Sequence, residues 1–425
     1  MNPFSITLEA FKVALQLFLD YWWIWLPLML ISIYMEIVPA YSRLKYLAGL
    51  TWVMLEIRVP QEPHKSLKAM EQIFEALHSI ATPRPPKNLK EKYGQWKARF
   101  FEGKTQDWLA LEIVSISGEI HYYVRTMEKY RNLIESQIYG HYPESEINQV
   151  PDYMAQMPLT VPTEDFDATG VELEFTKDSA FPIKTYPEFE EEHAGREDVR
   201  TTDPLAPFAE AMSSISFGEY LALQFVIRSA NDGWLKKSQP AIDKVMGKPE
   251  KPPESGAIEK QFEKIDQLLM GGAKKEEKKE EKPFNQLNPG VQELVKAMER
   301  KTSKLPFESG IRVFYAAPKD RFNGSDRVRM IAAAFKQFST QSLNGFKPGF
   351  SVDDERNPAK TLANKPKFFK RYKNREFPVS KPAPFILVTE ELATLFHFPD
   401  VGVRTPALPR VEAKKGEAPA GLPTV

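Results

Sequence analysis

The chain of 425 residues contains no cysteine. Disulfides, thiolate zinc sites and a cysteine nucleophile are therefore excluded, and the composition suits a reducing compartment. Charge of one sign is also missing: 57 Lys and Arg balance 57 Asp and Glu. The global balance therefore selects no class of partner. Histidine is scarce, with six residues at 64, 78, 121, 141, 193 and 397. No His-x-x-x-His or His-Glu-x-x-His spacing occurs. His121 and His141 are the one pair that could converge, and each reads more simply as a strand residue and a loop-end residue. No Gly-x-Ser-x-Gly elbow is present. Gly103-Lys104-Thr105 has the close of a phosphate-binding loop, but Ala98 stands where that motif needs its first glycine. A lysine-rich stretch rather than a strand precedes it. The chain thus reads as non-enzymatic, with no catalytic residue, no metal site and no cofactor.

Long apolar runs are scarce as well, with one exception. Tyr21 to Tyr41 reads YWWIWLPLMLISIYMEIVPAY, and its first fifteen residues carry no charge. About 20 helical residues cross the roughly 30 Å hydrocarbon core of a bilayer. Trp22, Trp23 and Trp25 lie at one end and Tyr34 and Tyr41 towards the other, as in the aromatic belts of spanning helices. Asp20, Glu36 and Pro27 keep a buried core helix open as an alternative. A cleavable signal peptide fits less well, because the residues before the run are not basic. Arg43 and Lys45 follow the run, whereas Lys12 is the one basic residue before it. Positive charge favours the cytoplasmic side, so the expectation is a single-pass protein of the cell membrane with residues 46–425 in the cytoplasm. Residues 5–19 have a helical apolar rhythm and read as an interfacial helix or the first turns of the span.

The remainder reads as α+β. After the segment 1–45, with its transmembrane helix at about 21–41, residues 51–150 give the order β-α-β-β-α-β. The strands are 51–59, 108–116, 119–124 and 146–150, and the helices 65–80 and 126–140. Ser117-Gly118 forms a hairpin turn between the middle strands. That order predicts a ferredoxin-like module. A connecting region, 151–216, holds the short strand 171–175, an extended stretch 181–187, an acidic loop 188–193 and a helix 204–213 begun by Pro204. A second, embellished α+β module spans 217–350, a degenerate repeat of the first. It has strands 221–227 and 311–316 and helices 231–246, 289–301 and 326–339. A charged insert, 248–284, carries a short helical stretch at 258–269 and reads as a disordered, solvated excursion. Residues 351–425 are proline-rich and basic and, with 345–350, mostly irregular apart from a short helix, 389–396.

Two stretches carry concentrated positive charge. Residues 84–104 hold seven Lys/Arg against two acids and read as a long basic loop. Residues 356–381 hold nine against one, with aromatic residues interleaved. There Lys367, Phe368, Phe369, Lys370, Arg371, Tyr372, Lys373 and Arg375 are the candidate contact residues. Cations attract phosphates and aromatic faces stack on bases, so single-stranded nucleic acid is one ligand. Anionic lipid beneath the anchor is another. The plainest reading is a solvated loop whose aromatic residues plug the core of the module.

Several stretches together resemble a known family. They are EIRVPQEPHKSLKAMEQIFEALHSI (56–80), LALEIVSISGEIHYYVRTMEKYRNLIESQIYGHYPESEI (109–147), FPIKTYP (181–187), DPLAPFAEAMSSI (203–215) and FILVTEELATLFHFPDVGVRTPALPRVEAKKGEAPAGLP (385–423). They are similar to the N-terminal, non-ATPase region of bacterial proteins related to type IV secretion and conjugative DNA-transfer ATPases. In the longer relatives the last segment leads into a P-loop domain, whereas this sequence stops at Val425 without a Walker A motif. The resemblance implies a component of a translocation machine whose ATPase is a separate polypeptide. It implies protein partners, a P-loop ATPase or secretion-machinery subunits, and carries over no catalytic residue.

Overall fold

Trp22–Ala48 form one unbroken α-helix of 27 residues, α1, despite Pro27 and Pro39 within it. The computed structural model describes residues 16, 18–59, 67–80, 85–191, 203–231, 233–248, 288–354, 356–379 and 382–399. Most of the expected helix at 5–19, part of the acidic loop, nearly all of the charged insert with its helical stretch, and the tail after 399 lie outside the described residues. After α1 the elements run β1 (Trp52–Arg58), α2 (Leu67–Leu77), α3 (Leu89–Phe100), β2 (Leu109–Ile116), β3 (Glu119–Met127), α4 (Arg131–His141), β4 (Glu146–Val150) and β5 (Phe166–Phe175). They continue with α5 (Tyr186–Glu191), α6 (Ala206–Ser213), β6 (Tyr220–Ser229), α7 (Gly233–Val245), α8 (Pro289–Thr302), β7 (Pro306–Pro318) and α9 (Gly324–Ala334). The last described elements are β8 (Phe346–Ser351), α10 (Pro358–Lys373), β9 (Phe385–Val388) and α11 (Thr389–Leu395). Short 3₁₀ turns cover 128–130, 153–156 and 335–338.

The described chain divides into two units. The first comprises residues up to Thr51 together with Arg84–Gln106. Here the sequence expectation needs correction, because the basic stretch 84–104 is not a loop throughout. Asn88 caps α3 by accepting from the Glu91 N–H at 2.8 Å, and the Glu91 carboxylate receives the Lys87 N–H at 2.8 Å. Reciprocal capping of this kind satisfies the orphan donors of a first turn. Beyond α3, Gly103 turns the chain at φ 66°, and a Cβ there would stand 2.1 Å from the Ser42 carbonyl oxygen. Only glycine permits that approach of two backbones.

The second unit is built on one nine-stranded antiparallel sheet. The strand order is β4-β1-β3-β2-β6-β7-β5-β8, with β9 pairing on β7. Both halves share one arrangement. By chain order within its half, each reads second, third, first, fourth outward from the central β2–β6 pair. α2 and α6 follow the first strand of each half, and α4 and α9 the third. In the first half Ser117 (φ 55°) and Gly118 (φ 90°) turn directly from β2 into β3, the left-handed pair that a type I′ hairpin needs. In the second half residues 230–305 intervene, with α7 and α8. The region read as a connector, 151–216, supplies β5, which pairs with both β7 and β8.

Both sheet faces are covered, so the inner strands are buried on both sides and lack simple alternation. On one face, α2, α4, α6, α9 and α11 bury residues such as Phe74, Ile134, Phe208, Ile331 and Leu392 against Leu55, Leu111, Leu223 and Val313. On the other, α10 and the 3₁₀ turn at 153–156 cover Val114, Ala222 and Phe314. Residues 345–399 are thus largely regular, contrary to the irregular C-terminal region read from the prolines. Pro358 occupies the favoured first turn of α10, and Asn357 caps it. Pro366 within α10 and Pro240 within α7 leave both helices continuous. The helix expected from Pro204 starts instead at Ala206, with Pro207 in its first turn.

Candidate functional site

The structure separates the aromatic residues of 367–375 from most of the cations. α10 turns Phe368, Phe369 and Tyr372 into the sheet, where all three are buried. Tyr372 stacks on Phe314 with ring centroids 4.0 Å apart. Phe368 occupies the space above Gly170, where a Cβ would lie 2.3 Å from its ring. Lys367 and Lys370 remain exposed, and Arg371 and Lys373 are half-buried. A stacking platform for bases is therefore absent from this helix, and the aromatic residues plug the core as the plainest reading had it, from a helix instead of a loop.

Arg375 departs furthest from a contact role. It follows α10 in the left-handed region (φ 51°), and its side chain is fully buried. Its guanidinium forks onto Glu112, Nε to Oε1 at 2.8 Å and Nη2 to Oε2 at 3.1 Å. Asp152 receives Nη2 at 2.9 Å. Burial opposes the charge on Arg375, but the Glu112 carboxylate outweighs it and holds the group well above its ordinary value. Tyr153 donates to Glu112 at 2.8 Å, and Gln224 Nε2 donates to the same carboxylate at 2.8 Å.

These groups belong to a polar row that crosses the sheet. Register places Glu56 opposite Tyr123, Tyr123 opposite Glu112 and Glu112 opposite Gln224. Gln224 then faces Arg312, and Arg312 faces Glu172. Arg312 donates to Gln224 at 2.9 Å and to Glu172 at 2.8 Å. The row satisfies its buried charges internally, which suits it to fixing register and the seat of α10. His121 is drawn into the same face, 2.7 Å from Glu56. Among the described residues no three His, Asp or Glu side chains gather as a metal would need.

A second polar feature lies elsewhere, against α8 and α11. It is a cleft of about 280 Å³ lined by residues of 182–188, 293–304 and 388–391. Four cations and four carboxylates are among its lining residues. Lys301 and Glu391 form its floor, 3.0 Å apart and both buried. Lys301 also donates to the Ile386 carbonyl at 3.1 Å, and Glu391 accepts the Ile183 N–H at 3.0 Å and the Val388 N–H at 3.0 Å. Burial presses Lys301 below its ordinary value, against the pull of Glu391, and presses Glu391 above its own. Arg300 meets Glu390 at 3.0 Å, and Lys304 meets Glu71 at 2.6 Å. Burial would raise the Glu71 carboxyl, but bonds from Lys304, Lys68 and Tyr186 hold it below its ordinary value. The walls thus present both signs of charge, an arrangement that favours a polar segment of mixed charge over a simple anion.

Sequence reasoning singled out none of Glu71, Lys301, Glu390, Glu391, Glu112 or Arg312. One signal was available. Glu71 and Lys301 fall one helical turn from Phe74 and Met298, inside the apolar stripes of α2 and α8.

A family model described as Domain of unknown function (DUF8128) matches residues 42–410. The chain belongs to that family. The matched stretch takes in the last turns of α1, α3 and every strand of the sheet. No curated protein shows a significant match.

Proposed function

We propose that this chain is a single-pass membrane protein that acts without catalysis, as a docking component of a type IV secretion-like or conjugative translocation system. Its sheet-bearing unit stays in the cytoplasm and receives a separate P-loop ATPase or another subunit of the machine. The observation that carries the anchor is α1: 27 residues, apolar enough to cross a bilayer, with its spanning window unburied. A soluble core helix would bury that surface. The docking half of the proposal draws on the resemblance of residues 56–80, 109–147 and 385–423, and the cleft of mixed charge supplies a surface suited to a protein segment. In finer detail, we read each half of the sheet as a ferredoxin-like unit, the two joined through β2 and β6. A nucleic-acid role for 356–381 has less support, because Phe368, Phe369 and Tyr372 are unavailable for stacking.

Orientation is tested by fusing alkaline phosphatase or a fluorescent protein after Val425. A fluorescent fusion without phosphatase activity is expected, and strong phosphatase activity would invert the topology and end the docking proposal. Partner capture is tested by purifying the full chain from detergent extracts. A P-loop ATPase should co-purify, and repeated recovery of none would count against the proposal.

A further inference from the structure

The exposed face of α3 points to a bilayer ligand. At 100° per residue, Leu89, Tyr93, Trp96 and Phe100 fall within one stripe about 60° wide. Such a stripe belongs against a core, yet Leu89 is 84 % exposed, Tyr93 63 % and Trp96 44 %. Only Phe100 is buried. The stripe is also an unbroken row of rings, with centroids 5.8 Å apart from Tyr93 to Trp96 and 5.1 Å from Trp96 to Phe100. From Phe100 the row passes to Tyr34 of α1 at 6.0 Å.

Cations flank the stripe on both sides. On the same wheel Lys92 and Arg99 lie to one side and Lys97 and Lys90 to the other, while Glu91, Gly94 and Ala98 occupy the back. Aromatic rings between flanking lysines suit the headgroup level of a membrane, where the rings enter the acyl boundary and long cationic stems reach back to phosphate. The position along α1 agrees. Phe100 meets α1 at Tyr34, and Gly103 meets it at Ser42 and Arg43. That is eight residues, or about 12 Å of helix. The segment of α1 beside α3 is thus where its uncharged run gives way to Glu36, Arg43 and Lys45.

We propose that α3 is an interfacial helix that lies on an anionic bilayer surface, its Leu89–Tyr93–Trp96 stripe inserted at the headgroup boundary and its lysines neutralising acidic lipid headgroups. The proposal rests on the membrane-anchor reading of α1. It makes α3 a second, charge-dependent hold on the leaflet that α1 enters.

Absence of cysteine makes the full chain a clean background for single spin labels. Three substitutions are used, each in full-length protein in nanodiscs: Leu30→Cys in α1, Leu89→Cys on the stripe and Gly94→Cys on the back, where a side chain meets open space. Accessibility to oxygen, which favours lipid, is compared with accessibility to a water-soluble nickel complex. With phosphatidylserine present, the Leu30 and Leu89 labels should favour oxygen and the Gly94 label the nickel complex by several-fold. Combining Leu89→Cys with Lys92→Glu, Lys97→Glu and Arg99→Glu should move the Leu89 label to the aqueous pattern and leave Leu30 unchanged. A Leu89 label as aqueous as Gly94, beside a lipid-facing Leu30, overturns the α3 proposal and spares the anchor; this is also the result if the stripe serves a protein partner. An aqueous Leu30 label overturns both.

Discussion

α3 and α10 are both basic helices with interleaved aromatic residues, and they end in opposite places. α10 buries Phe368, Phe369 and Tyr372 beneath its own lysines, whereas α3 leaves Leu89, Tyr93 and Trp96 in the open. The difference lies in the acids nearby. Strands under α10 carry Asp167, which meets Lys365, and Glu172, which meets Arg371. Glu112 waits for Arg375 at the helix end. Among the described residues, Lys90, Lys92, Lys97 and Arg99 of α3 meet no such carboxylate, and the one acid of α3, Glu91, serves its own N-terminus. A cation matched by a buried acid becomes part of the framework. A cation left unmatched remains available to a ligand. The Lys301–Glu391 pair, buried on both sides at the base of the cleft, follows the first rule.

The contrast is broken most directly at Arg375. Arg375→Ala leaves Glu112 buried and unpaired, a loss of about 3–5 kcal/mol. Lys370→Ala, on the exposed side of the same helix, should change stability by no more than about 0.5 kcal/mol. Denaturant unfolding of the full chain in detergent measures both, and equal effects would remove α10 from the core. Lys301→Met should cost a similar ~3–5 kcal/mol through the stranded Glu391. Adding Glu391→Gln should restore part of that loss, because it removes the stranded charge while its one amide oxygen still accepts from either Ile183 or Val388, the other N–H being left facing the amide NH2. A double mutant no better than the single would mean that the pair contributes nothing beyond packing.

Smaller effects sharpen the same distinction. Gly170→Ala sets a methyl against Phe368 and the Val313 carbonyl, both 2.3 Å away, and should destabilise by about 1–3 kcal/mol as overpacking. If it is neutral, α10 sits further from the sheet than described. Glu71 provides the pH test. Its folded carboxyl is held below its ordinary value of 4.5, so its contribution is present above that pH and is lost as pH falls through the folded value. Glu71→Gln should lower stability at neutral pH and reduce the further loss on acidification below 4.5. Unfolding midpoints across that range decide it, and parallel curves for the two proteins would contradict the assignment.

Much of this fold was legible in the sequence. β4 falls at 146–150 as read, and the Ser117-Gly118 hairpin and the apolar stripes of α2 and α8 are where periodicity put them. Alternation failed where both sheet faces are covered. β5 reads from sequence only as Val171–Phe175, because Asp167, Thr169 and Gly170 break its apolar run, yet all lie within it. α3 and α10 were missed because their lysines, with the prolines ahead of α3 and within α10, look like loop punctuation. Asn88, Asn357 and Pro358 mark helix starts by chemistry that outweighs those signals. The charged cleft was invisible for a different reason: Lys301 and Glu391 lie far apart in sequence and meet only once α8 and α11 are packed together.

Hydrogen exchange of the full chain in nanodiscs, with and without phosphatidylserine, tests the contrast between the two helices most directly. α10 amides should exchange slowly, at rates set by opening of the sheet unit and unchanged by lipid charge, while α3 should gain protection when the anionic lipid is present. α10 exchanging as fast as α3, or answering to lipid charge while α3 does not, would contradict that contrast.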